Sequence, residues 1–160
     1  MKGIKDSGLF KINIKKLLFT SNDVMKILLA DTEDTNMGTA QRKQLFDDHV
    51  KSHLFIDDTL SDKGAYIFFD CDIPAFYAQT KKCRIVVYCV CSRDLLDDFK
   101  MEGFVGNRAD CLSQAIEAAL LNPVAAKEFG IGDLTLEGVD IYNSKEHYGT
   151  IMVFETECFR

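Results

Sequence analysis

The clearest hydrophobic pattern in the chain is the segment from Lys82 to Ser92, which is apolar on both sides at once. Side chains alternate along a strand, so the segment would have two faces. One face carries Cys83, Ile85, Val87, Cys89 and Cys91, and the other carries Val86, Tyr88 and Val90. The segment is rich in β-branched residues and contains no Gly or Pro. It therefore predicts a central strand that is covered on both faces.

Three other segments have strand-like patterns. Ala65 to Cys71 is a run of apolar and aromatic residues closed by Pro74, and we expect it to pair antiparallel with the central strand. Residues 134–142 and 150–159 flank a polar stretch, 143–149, which is typical of a long hairpin. These patterns predict an antiparallel sheet of about four main strands.

Glycines mark two interruptions near the predicted hairpin. Val139 and Ile141 are out of phase with Leu134 and Leu136, which predicts a bulge at Gly138. The stretch 130–132, Gly-Ile-Gly, is followed by neither a third glycine nor a capped helix, so it predicts a turn and not a dinucleotide-binding loop.

The strongest helix signal begins at Asn107. Asn107 and Asp110 have the spacing of a reciprocal cap, and Leu112, Ile116 and Leu120 follow at intervals of four. Asn122-Pro123 ends the pattern. We expect this helix, Arg108 to Leu121, to lie across the sheet as its main cover.

Two further helices are predicted in the first third of the chain. Ser21 or Asn22 can cap a short helix that carries Val24, Ile27 and Leu28. Thr39 can cap a second helix, about Ala40 to His53. Before them, Phe10, Ile12 and Ile14 alternate with polar residues, which predicts a short strand or an extended N-terminal arm within residues 1–20.

Length and composition fit a single α+β domain covering residues 1–160. The apolar runs are too short for a bilayer helix and no secretory signal is evident, so we expect no membrane association. The net charge of −6, without a concentrated basic surface, argues against tight wrapping of nucleic acid. Six cysteines in such a chain are expected to be buried free thiols and not disulfides.

Histidine and aspartate pairs are the candidates for chemistry. His49 and His53 have the spacing that lets two imidazoles share a metal on a helix, but the expected Glu is missing, so an interface or half-buried pair is favoured. Asp70 and Asp72 end a strand on one side and could hold a divalent cation in a small intracellular enzyme. Cys89 and Cys91 share a face, but no second ligand pair supports a zinc site. We therefore expect no cofactor, no metal and no catalysis.

Four stretches resemble the head-tail joining proteins of tailed bacteriophages, of the tail-terminator or neck type. These are Asn107 to Asp110, Leu112 to Leu121, Phe129 to Leu134 and Tyr148 to Thr156. In that family a helix with an Asn-Arg-x-Asp start is followed by a Gly-rich turn and a closing hairpin. The resemblance spans about residues 65–159.

The resemblance implies a homo-oligomeric ring in the virion, at the head-tail junction, made in the host cytoplasm. Portal or connector proteins and the tail-tube protein would be its partners, and DNA would pass through the lumen without sequence-specific binding. The expected interface residues lie in the N-terminal segment, the histidine pair and an acidic loop: Phe10, Ile12, Ile14, His49, His53, Asp57 and Asp58.

Overall fold

The central strand predicted from the sequence is the middle strand of a five-stranded sheet. This is seen in a computed structural model that describes residues 3–31, 36–54, 63–128 and 133–159. The strands are β1 (Val50–Lys51), β2 (Ala65–Phe76), β3 (Thr80–Ser92), β4 (Thr135–Asn143) and β5 (His147–Phe159). The helices are α1 (Gly3–Thr20), α2 (Asn22–Leu28), α3 (Thr39–His49), α4 (Arg108–Leu120) and α5 (Pro123–Glu128), and a 3₁₀ turn spans Arg93–Leu95.

The strand order is β1-β2-β3-β5-β4. The four long strands are antiparallel to their neighbours, and the two-residue β1 adds a parallel pair with β2. The predicted α+β class and antiparallel sheet are therefore confirmed. β3 is paired along its whole length with β5, from Thr80 opposite Phe159 to Ser92 opposite His147.

One face of the sheet packs against the helices and forms the main core. Alternate residues of β3 are fully or almost fully buried there, including Ile85, Val87 and Cys89. They meet Leu112 and Ile116 of α4 within one continuous apolar cluster. The alternation predicted for β3 is therefore confirmed. The side chains on this face are apolar because the helices cover them.

The other face of β3 is only partly covered. Tyr66, Phe68 and Val90 form a small buried cluster, and Tyr88 and Tyr142 pack against it. Within the described residues, the full cover predicted for both faces is found on the helix side alone. Half-buried side chains such as Tyr88 remain on the second face.

The capped helix predicted at Asn107 is confirmed. The Asn107 side chain accepts a hydrogen bond from the Asp110 N–H, and the Asp110 carboxylate accepts one from the Asn107 N–H, both at 3.0 Å. Gly106 precedes the cap with φ of 100°, and a Cβ there would collide with the Asp110 side chain. Glycine is thus required by both the backbone and the cap.

The strand or extended arm predicted for residues 1–20 is wrong, because α1 runs from Gly3 to Thr20. Three alternating apolar residues fit a strand over five positions only. Over a longer window Phe10, Ile14 and Leu17 follow helical spacing, and Ile14 and Leu17 are buried. The hydroxyl of Ser7 also donates to the carbonyl oxygen of Cys71, so α1 lies along the β2 side of the sheet.

The other early helices differ in detail. α2 begins after Ser21, whose hydroxyl accepts a hydrogen bond from the Val24 N–H, as predicted. α3 ends at His49 and not at His53, because the chain turns into β1 and pairs with β2. Its N-cap is Gly38, with the Gln41 side chain accepting from the Gly38 N–H.

The predicted bulge and hairpin are confirmed. The register between β4 and β5 shifts between Leu136 and Gly138. The loop is shorter than expected, because the strands extend to Asn143 and His147. The turn predicted at residues 130–132 lies outside the described residues.

An ion pair between α1 and α3 gives a prediction for acid stability. Burial raises the pKa of Asp47, but hydrogen bonds from Lys15 and Lys43 oppose this effect, and the net shift of the pKa is downward. A lowered pKa adds stability that is present above the ordinary value near 4 and is lost as pH falls through the folded-state value. Because these groups are about a third exposed, we expect Asp47→Asn to cost only about 0.5 kcal/mol at pH 7.

Urea unfolding from pH 7 to pH 3 checks this expectation. The difference between the wild type and Asp47→Asn should shrink toward zero at the acid end. Asp48→Asn is the matched control, because the hydrogen bond that Asp48 accepts comes from the neutral side chain of Gln44. A difference that is constant with pH would contradict the role given to the two lysines.

Candidate functional site

The three apolar residues predicted as N-terminal interface residues differ in how exposed they are on α1. Ile14 is fully buried in the chain's own core, and Phe10 is half-buried against it. Ile14 is therefore not available to a partner, and its place in the predicted interface is wrong. Ile12 lies on the opposite side of the helix with 54% of its surface exposed.

The two histidines do not form a pair. His49 is buried at the end of α3, where its Nδ1 lies 2.8 Å from the carbonyl oxygen of Ala65 and its ring stacks on Tyr66 at 4.6 Å. His53 lies beyond β1, is exposed, and its ring is 6.1 Å from that of Phe68. The two histidines therefore do not lie on one helix with the spacing that a shared metal would need. His49 instead packs against β2.

Asp57 and Asp58, the other predicted interface residues, lie outside the described residues. The strand before them, β1, and the strand after them, β2, are both described and pair with each other in the sheet. The role predicted for these two aspartates stays a prediction.

Asp70 and Asp72 share a face of β2, as the strand pattern predicted. The Asp70 carboxylate forms an ion pair with Lys11 at 2.5 Å. The Asp72 carboxylate accepts two hydrogen bonds from Arg84, at 3.0 and 2.5 Å. Each carboxylate thus has its own cation, and the two side chains are held by different elements. Among the described residues, no group of three or more His, Cys, Asp or Glu side chains is arranged so that it could hold a metal ion.

The thiols on β3 are buried, as predicted. Cys89 lies between β3 and α4 beside Ser113 and Thr150, and burial raises the pKa of its thiol to about 12. Burial likewise raises the pKa of Cys91 to about 11 and that of Cys71 to about 12. Because metal ligation and nucleophilic attack need the thiolate, these positions favour structural packing. The side chain of the sixth cysteine, Cys158, is outside the described part.

The raised thiol pKa values predict a loss of stability in alkali. In the unfolded chain a Cys ionises near its ordinary value of 9, whereas Cys89 in the fold stays protonated to about 12. A raised pKa gives stability that is full below pH 9 and is lost as pH rises toward 12. Between these two pH values, Cys89 should lower the free energy of unfolding by about 1.4 kcal/mol for each unit by which the pH rises.

Comparing wild type with Cys89→Ala isolates this contribution from other groups that titrate in alkali. The variant is expected to be less stable at neutral pH, but its free energy of unfolding should fall less steeply between about pH 9.5 and pH 11, by roughly that amount per unit. Equal slopes for the two proteins would show that Cys89 is not shielded from ionisation.

Two surface depressions among the described residues differ in their lining. One of about 290 Å³ between α1, α2 and α4 is lined largely by small side chains such as Ala115 and Ala119. The hydroxyl group that Ser21 brings to it is already used to cap α2. Another, of about 500 Å³, lies along residues 97–106 and mixes apolar side chains with separate charges.

Arg108 has a structural role that is not evident in the sequence. Its side chain is 2% exposed, donates two hydrogen bonds to the Ile27 carbonyl at 3.1 and 2.9 Å, and pairs with Asp31 at 2.7 Å. The guanidinium also lies over the ring of Phe99. Arg108 thus terminates α2 from the first position of α4. No local signal could reveal this, because the partners are about 80 residues away in the sequence.

Two exposed apolar pairs lie at opposite sides of the sheet, and of their four residues only Ile12 was predicted from the sequence as an interface residue. On α1, Leu9 and Ile12 are 56% and 54% exposed. On β4, Val139 and Ile141 are 60% and 62% exposed, although they lie on the same face of the sheet as the buried Met152 of β5. β4 therefore extends beyond the helices that cover its neighbours.

α1 and β4 carry opposite net charges. α1 has Lys5, Lys11, Lys15 and Lys16 against the single Asp6, and Lys5 and Lys16 are exposed. β4 carries exposed Glu137 and Asp140, with exposed Asp133 just before it. Lys11 and Lys15 of α1 are paired with Asp70 and Asp47, and Asp140 lies on the face of β4 opposite to Val139 and Ile141.

The chain belongs to the YomW family, whose model matches residues 13–156. The match covers all the described strands except the end of β5, and all of the described helices except the first turns of α1. The family name comes from a phage-like region and indicates a phage-related protein. No curated protein matches the chain. Within the described residues, no helix is both long and apolar enough to cross a membrane.

Proposed function

We propose that the chain is a structural protein of the virion, a ring-forming subunit at the head-tail junction. It would act as a tail terminator or as a neck connector between portal-side proteins and the tail tube. The phage-related family and the resemblance of residues 65–159 to head-tail joining proteins support this assignment. No catalytic role is part of the proposal, because Asp70 and Asp72 are each engaged with a cation.

The observation on which the proposal rests is that the two sides of the sheet are covered differently. At one side β1 and α1 lie against β2, with Ser7 bonded to the Cys71 carbonyl. At the other side β4 has a strand partner only in β5 among the described residues, and it exposes Val139 and Ile141. A subunit with two different sides can join copies head to tail, which closes into a ring when the rotation permits.

The net charge is compatible with a DNA passage. A subunit of net charge −6 repels the phosphate backbone, so DNA would move through the lumen of a ring without being held. The notable basic element, α1, lies at a side of the sheet where a neighbour could cover it. The proposal therefore needs no sequence-specific contact with DNA.

Loss of the protein during phage assembly provides the test. A stop codon early in the gene should leave DNA-filled heads and separate tails in the lysate, visible by negative-stain microscopy, and supplying the protein should restore joined particles. Purified particles should contain it at a few to about a dozen copies, as expected for one cyclic ring. Joined, infectious particles formed without the protein would overturn the proposal.

A further inference from the structure

We propose that the Asp140 carboxylate guards the outer edge of β4 against the addition of another strand. The edge of a sheet presents backbone N–H and C=O groups that can pair with a second chain. β4 is such an edge, since β5 is its one strand partner among the described residues. Asp140 would therefore limit uncontrolled association of the subunit, whether or not the chain forms a ring.

The register of the β4–β5 hairpin shows which backbone groups of β4 point outward. The Ser144 N–H donates to the His147 carbonyl oxygen at 2.9 Å, and the register then continues without a shift as far as Val139. In an antiparallel pair, every second residue turns its N–H and C=O toward the partner strand. Counting back by twos from Ser144, the backbone groups of Asp140 face β5, whereas those of Val139 and Ile141 face outward.

The outward N–H of Ile141 is already engaged. It donates to the Asp140 carboxylate at 2.7 Å, so an approaching strand would have to break this hydrogen bond before it could form its own. Asp140 is also exposed, and a charged side chain at an edge opposes the approach of another strand. The carboxylate thus removes a donor from the edge and adds a charge to it.

The stretch that the carboxylate protects is the regular part of the β4 edge. Before it, the bulge at Gly138 interrupts the pairing pattern. After it, the guanidinium of Arg93 donates to the Asn143 side chain. Between these points lie Val139 and Ile141, which are 60% and 62% exposed. A regular edge with exposed β-branched side chains is a favourable template for unwanted pairing, so a guard is needed here.

The opposite edge of the sheet carries the same arrangement on β2. The Ser92 N–H donates to the Gly64 carbonyl oxygen, and the register of β2 and β3 is constant from there to Cys71, so the backbone groups of Cys71 face outward. Its N–H donates to the Asp70 carboxylate at 2.8 Å, and its carbonyl oxygen accepts from the Ser7 hydroxyl at 2.9 Å. Each long edge strand thus has an aspartate that engages the N–H of the next residue. At β2, α1 covers the edge as well.

Amide hydrogen exchange tests the hydrogen bond directly. Val139 is the internal reference, because its N–H faces outward from the same strand and no side chain accepts it among the described residues. Relative to the rates of an unstructured peptide, the Ile141 N–H should exchange about tenfold more slowly than the Val139 N–H, as expected for one hydrogen bond to a charged group. Asp140→Ala should abolish the difference. Equal protection of the two amides in the wild type would overturn the proposal.

Association of variants tests the guarding role. Asp140→Ala frees an N–H between two exposed apolar side chains, so sedimentation velocity should show a shift to material heavier than the wild-type species, and thioflavin T fluorescence should rise. Asp140→Asn separates the hydrogen bond from the charge. Its amide oxygen can still accept the Ile141 N–H, so this variant should associate less than Asp140→Ala.

Two other alanine variants are the matched controls. Asp133→Ala removes the same charge just before β4, outside the strand. Asp70→Ala removes the corresponding hydrogen bond on β2, where Ser7 and α1 still cover the edge. Both should keep the wild-type sedimentation profile. If either associates as strongly as Asp140→Ala, or if Asp140→Ala keeps the wild-type profile, the guarding role is overturned. Circular dichroism identifies a variant that fails to fold, and the wild-type exchange rates, which need no substitution, then decide.

Discussion

Replacing Arg108 with Met is expected to destabilise the fold by about 3 kcal/mol, near the lower end of the range for breaking a buried ion pair. Met keeps most of the apolar stem but removes every donor. The Ile27 carbonyl would lose two hydrogen bonds and the end of α2 would lose its terminator. The lower end applies because Asp31 is a third exposed and can be solvated when its partner is removed.

Urea unfolding followed by circular dichroism measures this loss. Arg93→Met is the matched control: Arg93 is exposed and bonds the hairpin loop through Ser144 and Asn143, so its loss should cost less than about 1 kcal/mol. Arg108→Lys should also lose stability, since one ammonium cannot reproduce the forked contacts to Ile27 and Asp31. Equal stability of Arg108→Met and the wild type would show that the α2 carbonyls find other donors.

Replacing Gly149 with Ala is expected to cost about 3 kcal/mol or more, because a Cβ there meets backbone and not a movable side chain. It would overlap the carbonyl oxygen of Cys89 and lie 2.7 Å from the Cys89 carbonyl carbon and 2.8 Å from the Val90 Cα. Rotamer changes cannot relieve such overlaps. β3 and β5 would have to separate where Val90 pairs with Gly149.

Gly8→Ala is the contrasting control for this prediction. Gly8 lies exposed within α1, and a methyl group added there would meet no neighbouring part of the described chain within 4 Å. Alanine should therefore stabilise the fold by roughly 0.5–1 kcal/mol. The two glycine substitutions should shift the urea midpoint in opposite directions. A Gly149→Ala protein with the wild-type urea midpoint would contradict this prediction. It would mean that β3 and β5 can shift enough to admit the methyl group and still keep their pairing.

The predictability of each feature depends on how far apart its interacting groups lie in the sequence. The cap of α4 is predictable because Asn107 and Asp110 are three residues apart, and the bulge at Gly138 because strand alternation breaks there. The start of α1 is ambiguous because alternating apolar residues over five positions fit two periods, and only the residues that follow favour the helix. The end of α3 differs from its prediction because pairing of β1 with β2 overrides the helical pattern.

The candidate contact surfaces are less accessible from sequence. Ile12 was predicted as an interface residue and is exposed, but Ile14 was predicted with it and is buried. The phase of Val139 is visible in the sequence, but its exposure depends on how far the helices reach across the sheet. The pairing that locks Arg108 to Ile27 links residues 81 apart, and no local pattern encodes such a contact.

The strand order has a consequence for how the polypeptide acquires its shape. β3 is synthesised next to β2, but its other neighbour, β5, follows only after residues 93–146. During translation, the edge of β3 that will pair with β5 therefore stays unpaired until residues 93–146 have been synthesised. Unpaired strand edges can pair with other nascent chains. Closing the central pair late makes the folding reaction slow relative to a helical protein of equal length, so expression at reduced temperature should raise the recovered yield.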